Sequence, residues 1–160
     1  MRTRLSSLEQ LMPLPRAREL LAGTGRRLVS AVPGDALDTA VRLMRDHDIG
    51  FLPVLERGKL VGVLSERDIV RNLGLPERAS VRDIMTTRVH TVAPSAKVPE
   101  CLAVMHREHV RHLPVVSGAA IEGVLSMRDI TGALIERHER LLRRLEHERL
   151  VLLSPNPGSY

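Results

Sequence analysis

The chain has 160 residues, 43% of them apolar, and a formal charge of +5, which is enough apolar content for a buried core in one ordinary domain or two small ones. No apolar run reaches the roughly 18 residues of a membrane span, no signal-peptide core opens the chain, and the single Cys101 excludes an intramolecular disulfide and fits a reducing compartment; the expected location is the cytoplasm. All but Lys59 and Lys97 of the 24 basic residues are arginine, interspersed with acids, and Phe51 and Tyr160 are the only aromatics, which argues against a nucleic-acid binder built on a basic stripe and stacking rings.

Residues 1–27 read as a lead-in. Ser6 or Ser7 caps a short helix carrying Leu8 and Leu11, stopped by Pro13 and Pro15, and a second helical turn from Arg16 to Ala22 ends at Gly23-Thr24-Gly25. A short strand is expected over Leu28–Val32, followed by Pro33-Gly34 and by Asp35, placed to cap the next helix. That helix shows Leu37, Ala40, Val41 and Met44 at i, i+3, i+4 and i+7, so it buries one face, and it should end near His47-Asp48. Phe51–Leu55 and Leu60–Leu64 read as two strands joined by Glu56-Arg57-Gly58-Lys59, a hairpin-length loop. Ser65–Asn72 closes the unit as a helix, giving the order β-α-β-β-α.

After a linker over 73–80 containing Gly74 and Pro76, the pattern returns. Adding 61 to a residue number maps Pro33 on Pro94, Met44 on Met105, Leu52-Pro53-Val54 on Leu113-Pro114-Val115, and Ile69 on Ile130 without a gap. Gly62-Val63-Leu64-Ser65-Glu66-Arg67-Asp68-Ile69 is thereby repeated as Gly123-Val124-Leu125-Ser126-Met127-Arg128-Asp129-Ile130. The expected class is α+β: two similar units at 28–72 and 81–135, packed with approximate two-fold symmetry and clefts between equivalent elements. Glu19-Leu20-Leu21 resembles Asp83-Ile84-Met85, so both copies have a short helical entry. A long helix is expected from Ile130 to Leu150, with Leu134, His138, Leu141 and Leu145 in 3-4 spacing and Glu136/Arg140 and Glu139/Arg143 as i, i+4 pairs; its portion beyond the second unit is 136–153, before a frayed 154–160. So narrow a stripe calls for a partner helix, from the N-terminal segment or from a second subunit.

Each Ser-x-x-Asp corner joins an apolar strand to a helix start, presenting a hydroxyl, a carboxylate and N–H groups to something small and anionic. The same four residues also form a helix capping box, a structural device that is compatible with binding. His106, His109 and His112 have a metal-like spacing, but His112 falls at a strand start and no carboxylate or Cys completes a shell, so no metal site is expected. The chain has no P-loop, no dinucleotide glycine fingerprint and no paired carboxylates, and no enzymatic activity is expected.

Val81-Arg82-Asp83-Ile84-Met85-Thr86, His90-Thr91-Val92-Ala93-Pro94, Arg111-His112-Leu113-Pro114-Val115-Val116 and the two Gly-x-x-Ser-x-x-Asp turns together resemble a tandem cystathionine β-synthase (CBS) domain pair, or Bateman module. The match runs from about residue 28 to about 135, as in the short stand-alone proteins of that family. The resemblance implies a non-enzymatic regulatory module that binds AMP, ADP, ATP, S-adenosylmethionine or NAD between its repeats, with no tightly bound cofactor, in a homodimer that acts on a regulated protein not identifiable from sequence. Carried over residue by residue, it makes Asp68 and Asp129 the ribose ligands, Ser65 and Ser126 the phosphate ligands, and Ser30 and Thr91 the base-side contacts. Ile49, Gly50, Phe51 and Pro53 would line one pocket, and Val110, Arg111, His112 and Pro114 the other.

Arg67, Arg128 and the Arg111-His112 pair suit phosphate, since an Arg fork holds two oxygens at once. The first unit has Gly50-Phe51 where the second has Arg111-His112, so unequal affinities are expected. The alternative is a constitutive dimerisation scaffold with vestigial clefts, working through its last helix.

Overall fold

The computed structural model describes residues 14–74 and 79–153. The expected helix around Leu8 and Leu11 and the tail 154–160 lie outside them. The chain order is α1 (Ala17–Thr24), α2 (Leu37–Asp46), β1 (Phe51–Glu56), β2 (Lys59–Ser65), α3 (Glu66–Arg71), α4 (Val81–Ile84), α5 (Val98–Arg107), β3 (His112–Ser117), β4 (Ala120–Ser126) and α6 (Met127–Leu153). Among these residues no helix is long and apolar enough to cross a membrane.

The hairpins form as their turns dictate. Arg57 and Gly58 both take positive φ, 51° and 78°, the combination a two-residue turn needs to match the strand twist. β1 and β2 pair from Phe51↔Ser65 to Glu56↔Lys59 with a bulge at Val54/Leu55, and β3 and β4 repeat this from His112↔Ser126 with the bulge at Val115/Val116. The expected strand over Leu28–Val32 contracts to one parallel bridge. Ala31 N–H donates to Pro53 O at 3.0 Å and Leu55 N–H to Ala31 O at 2.8 Å; Pro33 has no N–H to extend the ladder. Val92 makes the equivalent bridge to Val115.

Asp35 does not cap α2. Ala36 holds that position, and the Asp35 carboxylate accepts Val32 N–H at 2.8 Å, closing the Pro33-Gly34 turn. α2 otherwise follows its periodicity, burying Ala40 and Met44 and ending at His47. The closing helix of the second unit and the expected tail helix are one rod, Met127–Leu153, about 40 Å long at 1.5 Å per residue. Its Glu136/Arg140 and Glu139/Arg143 pairs stand at 3.6 Å.

The two cores are equivalent, and each is completed by the other unit's entry helix. Val81 and Ile84 of α4 sit with Ala31, Met44, Leu52, Val54 and Leu64, whereas Ala17 and Leu20 of α1 sit with Val92, Cys101, Met105, Leu113 and Leu125. Val81 and Arg82 N–H donate to Asp35 O and Pro33 O at 2.8 and 2.9 Å; Ala17 and Arg18 N–H donate to Ala96 O and Pro94 O at 2.8 and 3.0 Å. The free first-turn N–H groups of each short helix are thus satisfied by the opposite unit.

Gly62 and Gly123 permit these crossings. A Cβ at Gly62 would meet Met85 Sδ at 2.9 Å and the Thr86 carbonyl at 3.1 Å, whereas at Gly123 it would meet the Leu21 methyls at 3.0 and 3.1 Å. Thr86 also pairs reciprocally with Val63 at 2.9 Å, so the backbone there cannot retreat without breaking hydrogen bonds. Gly62→Ala is expected to cost about 1–3 kcal/mol and Gly123→Ala less, because a leucine tip yields where a paired carbonyl does not. Leu52→Ala and Leu113→Ala should each cost about 2–5 kcal/mol. Urea unfolding of the four variants, read at constant m-value, checks both expectations.

Candidate functional site

The two units face one another across the approximate two-fold axis, with β2 against β4. Phe51 and His112 occupy equivalent positions at the starts of β1 and β3, and their rings stack at 4.8 Å between centroids and 15° between planes. Around this contact opens a cleft of about 1040 Å³ lined by both units. Ile49, Gly50, Phe51, Pro53, Ser65, Arg67 and Asp68 line it from the first repeat, and Val110, Arg111, His112, Pro114, Ser126 and Arg128 from the second. Thirteen of the sixteen residues named from sequence are therefore brought together.

The remaining three fall outside it. Ser30 and Thr91 are not among the lining residues; Leu28 and Val29, and Val89 and His90, take those places. Next to Ser30 and Thr91, Ala31 and Val92 turn into the cores through their bridges, and the neighbours of an inward-facing residue in extended chain point the other way. Asp129 is closed off: its side chain is only 5% exposed, and Arg26 Nη2 donates to its Oδ1.

Both Ser-x-x-Asp corners make the capping box. Ser65 N–H and Oγ–H donate to Asp68 Oδ2 at 2.9 and 2.6 Å, and Asp68 N–H returns to Ser65 Oγ at 3.4 Å. Ser126 and Asp129 repeat this at 2.8, 2.7 and 3.2 Å. One carboxylate oxygen of each Asp is thus committed to its own turn. Among the described residues the other is without a side-chain donor at Asp68, which lines the cleft, and is taken by Arg26 at Asp129.

Sequence reasoning missed several groups that set the electrostatics. Eight arginines line the cleft (Arg18, Arg26, Arg27, Arg67, Arg71, Arg88, Arg111 and Arg128) against four carboxylates, Asp48, Glu66, Asp68 and Glu122. Arg18 forks onto Glu122 at 3.0 and 3.3 Å. Glu66 is the sharpest break in symmetry: its N–H donates to Gly50 O at 3.1 Å, and a Cβ on Gly50 would stand 2.6 Å from its carboxylate. In the second unit, Met127 N–H makes the same bond to Arg111 O at 2.8 Å. A carboxylate over glycine on one side faces a thioether beside arginine on the other. The clue was in the repeat itself, at the positions where it fails.

Among the described residues no three of His, Cys, Asp and Glu come together as a metal site. Burial lowers the pKa of His112, and Arg111 lowers it further, against smaller upward pulls from Asp129 and Glu66. The folded chain therefore holds His112 neutral to lower pH than the unfolded chain does. Where the unfolded state binds more protons, stability rises with pH, so stability should fall as pH drops below the ordinary histidine value of 6.5. His112→Phe, which keeps a ring on Phe51, should reduce that slope in urea unfolding between about pH 7 and pH 5.

A family model described as the CBS domain matches residues 3–75 and 81–136. A mitochondrial CBS domain-containing protein of Arabidopsis thaliana is 33% identical over 120 residues, covering 69% of this chain and 58% of that relative; the chain spans little more than half of the relative's length. A crystal structure of a CBS domain superposes with TM-score 0.72 at 34% identity, covering 76% of this chain and 98% of the other. A CBS domain pair solved in complex with 5′-methylthioadenosine and S-adenosyl-L-methionine shares the fold at TM-score 0.71 and 23% identity, covering 78% of this chain and 99% of that one.

Proposed function

The chain belongs to the CBS-domain family, and from that premise we propose that it is a non-enzymatic regulatory module whose inter-repeat cleft takes an adenine nucleotide and passes on its occupancy as a change of shape. The observation that carries this reading is the cleft of about 1040 Å³ shared by both repeats, with eight arginines against four carboxylates. Its volume suits a nucleotide with its phosphates. Its charge favours phosphate over the sulfonium of S-adenosylmethionine, because arginine forks hold phosphate oxygens in pairs and repel a fixed cation.

Within this reading Asp68 accepts a ribose hydroxyl through the oxygen its capping box leaves over, Phe51 and His112 offer rings beside the base, and Arg67, Arg111 and Arg128 take the phosphates. Occupancy matters downstream only if the nucleotide prefers one arrangement of the two units, since equal affinity for both states shifts nothing. The ring stack and the entry-helix crossings are the contacts between units through which such a preference is felt.

A second reading, a constitutive dimerisation scaffold, draws on Ile135, Leu142 and Leu145 of α6, which stand 60%, 47% and 53% exposed. It predicts a dimer whose fold ignores nucleotides.

Thermal unfolding against AMP, ADP, ATP, NAD and S-adenosylmethionine separates the two. A nucleotide at 100 times its dissociation constant should stabilise the fold by about 2.7 kcal/mol, and ATP should outrank S-adenosylmethionine by a margin that shrinks with added salt. No shift with any of the five, in a normally folded chain, leaves the scaffold. Asp68→Asn keeps an oxygen for the Ser65 cap while removing the charge, so it should weaken nucleotide binding about tenfold or more with less than about 1 kcal/mol lost from the unliganded fold. Calorimetric titration paired with urea unfolding measures the two effects separately.

A further inference from the structure

The two Ser-x-x-Asp corners match in backbone and in local bonding, yet they differ in access. Asp68 lines the cleft, and among the described residues the hydrogen bonds to its carboxylate come from Ser65 alone. Asp129 has Oδ2 bonded by Ser126 and Oδ1 bonded by Arg26, so both of its oxygens are engaged.

Arg26 reaches that corner on a short, anchored arm. α1 is bonded to the second unit through Ala17 and Arg18, as the Arg18–Glu122 fork also holds it. Gly25 then ends the helix at φ 59°. Thr24 Oγ1 donates to Leu21 O at 2.8 Å and accepts Arg26 N–H at 3.4 Å, which sets the direction in which the arginine leaves the turn. The guanidinium end remains accessible, the Arg26 side chain being 55% exposed while that of Asp129 is 5% exposed. Because the carboxylate is covered, the arginine leaves it only when another donor takes over Oδ1, and tethering keeps Arg26 at a high effective concentration as the competitor.

On the nucleotide reading above, we propose that Arg26 is an intramolecular competitor for the Asp129 corner, holding the carboxylate oxygen that a ribose hydroxyl would need. The chain then takes one nucleotide tightly, at Asp68. A second enters only when Arg26 swings away from Asp129, and because Arg26 itself lines the cleft, a phosphate there can hold the guanidinium once it is released. A corner closed about nine-tenths of the time binds about tenfold more weakly than the same corner open. The asymmetry between the two sites would thus come from a residue just after α1, in the N-terminal segment, acting on the second unit's corner.

Calorimetric titration with ATP of the wild-type chain, Arg26→Gln, Asp68→Asn and the double variant tests this. The expected result is one tight site in the wild type, a second site strengthened about tenfold in Arg26→Gln, loss of the tight site in Asp68→Asn, and one site regained in the double variant. Two equal sites in the wild type, or an unchanged second site in Arg26→Gln, overturns the competitor role while leaving nucleotide binding intact. No heat of binding in any variant, with AMP and ADP as silent as ATP, overturns the nucleotide reading and the competitor role with it.

Discussion

Each half of this molecule depends on a helix that arrives from beyond its own repeat. Ala17 and Arg18 place their N–H groups on the carbonyls of Ala96 and Pro94, and Val81 and Arg82 place theirs on Asp35 and Pro33. Without α1 the second core lacks Ala17 and Leu20; without α4 the first lacks Val81 and Ile84. A two-stranded hairpin is marginal alone; each of these is bridged on one side from its own unit, at Ala31 or Val92, while on the other side Thr86 pairs with β2 and α1 packs against β4. The glycines at 62 and 123 are what let these segments come close. One consequence is that neither unit folds around a core of its own making, so their relative placement is part of the fold.

That placement sets two equivalent surfaces against each other, and the places where equivalence fails carry the chemistry. Phe51 meets His112 in a stack that two phenylalanines or two histidines would make differently. Gly50 leaves space for the Glu66 carboxylate, while Arg111 and Met127 occupy the matching positions. The cleft is consequently electropositive overall, with its carboxylates distributed unevenly between the two sides. The cleft is bordered by two corners built on one plan, with Ser65 and Asp68 on one side and Ser126 without Asp129 on the other.

The Ser-x-x-Asp motif shows how one local structure can have two outcomes. In both copies the hydroxyl and carboxylate close a helix turn, a contribution of about 1 kcal/mol each. A cap consumes only one carboxylate oxygen, so it leaves the other free to take a further partner. What becomes of the second oxygen is decided elsewhere: Asp68 lines the cleft, and Asp129 bonds Arg26.

The sequence by itself determined the repeat and its 61-residue offset, the hairpins with their turns, the amphipathic α2, both capping boxes and most of the cleft lining. All of these rest on interactions within a few residues, or on a pattern seen twice. Tertiary structure alone decided that α1 packs on the second unit and α4 on the first, that Ala31 bridges to Val54, and that Arg26 finds Asp129. These outcomes join residues as much as 103 positions apart, and no local period or propensity encodes which distant surface a short helix or a single arginine will meet. That choice is made only when the two units close on one another.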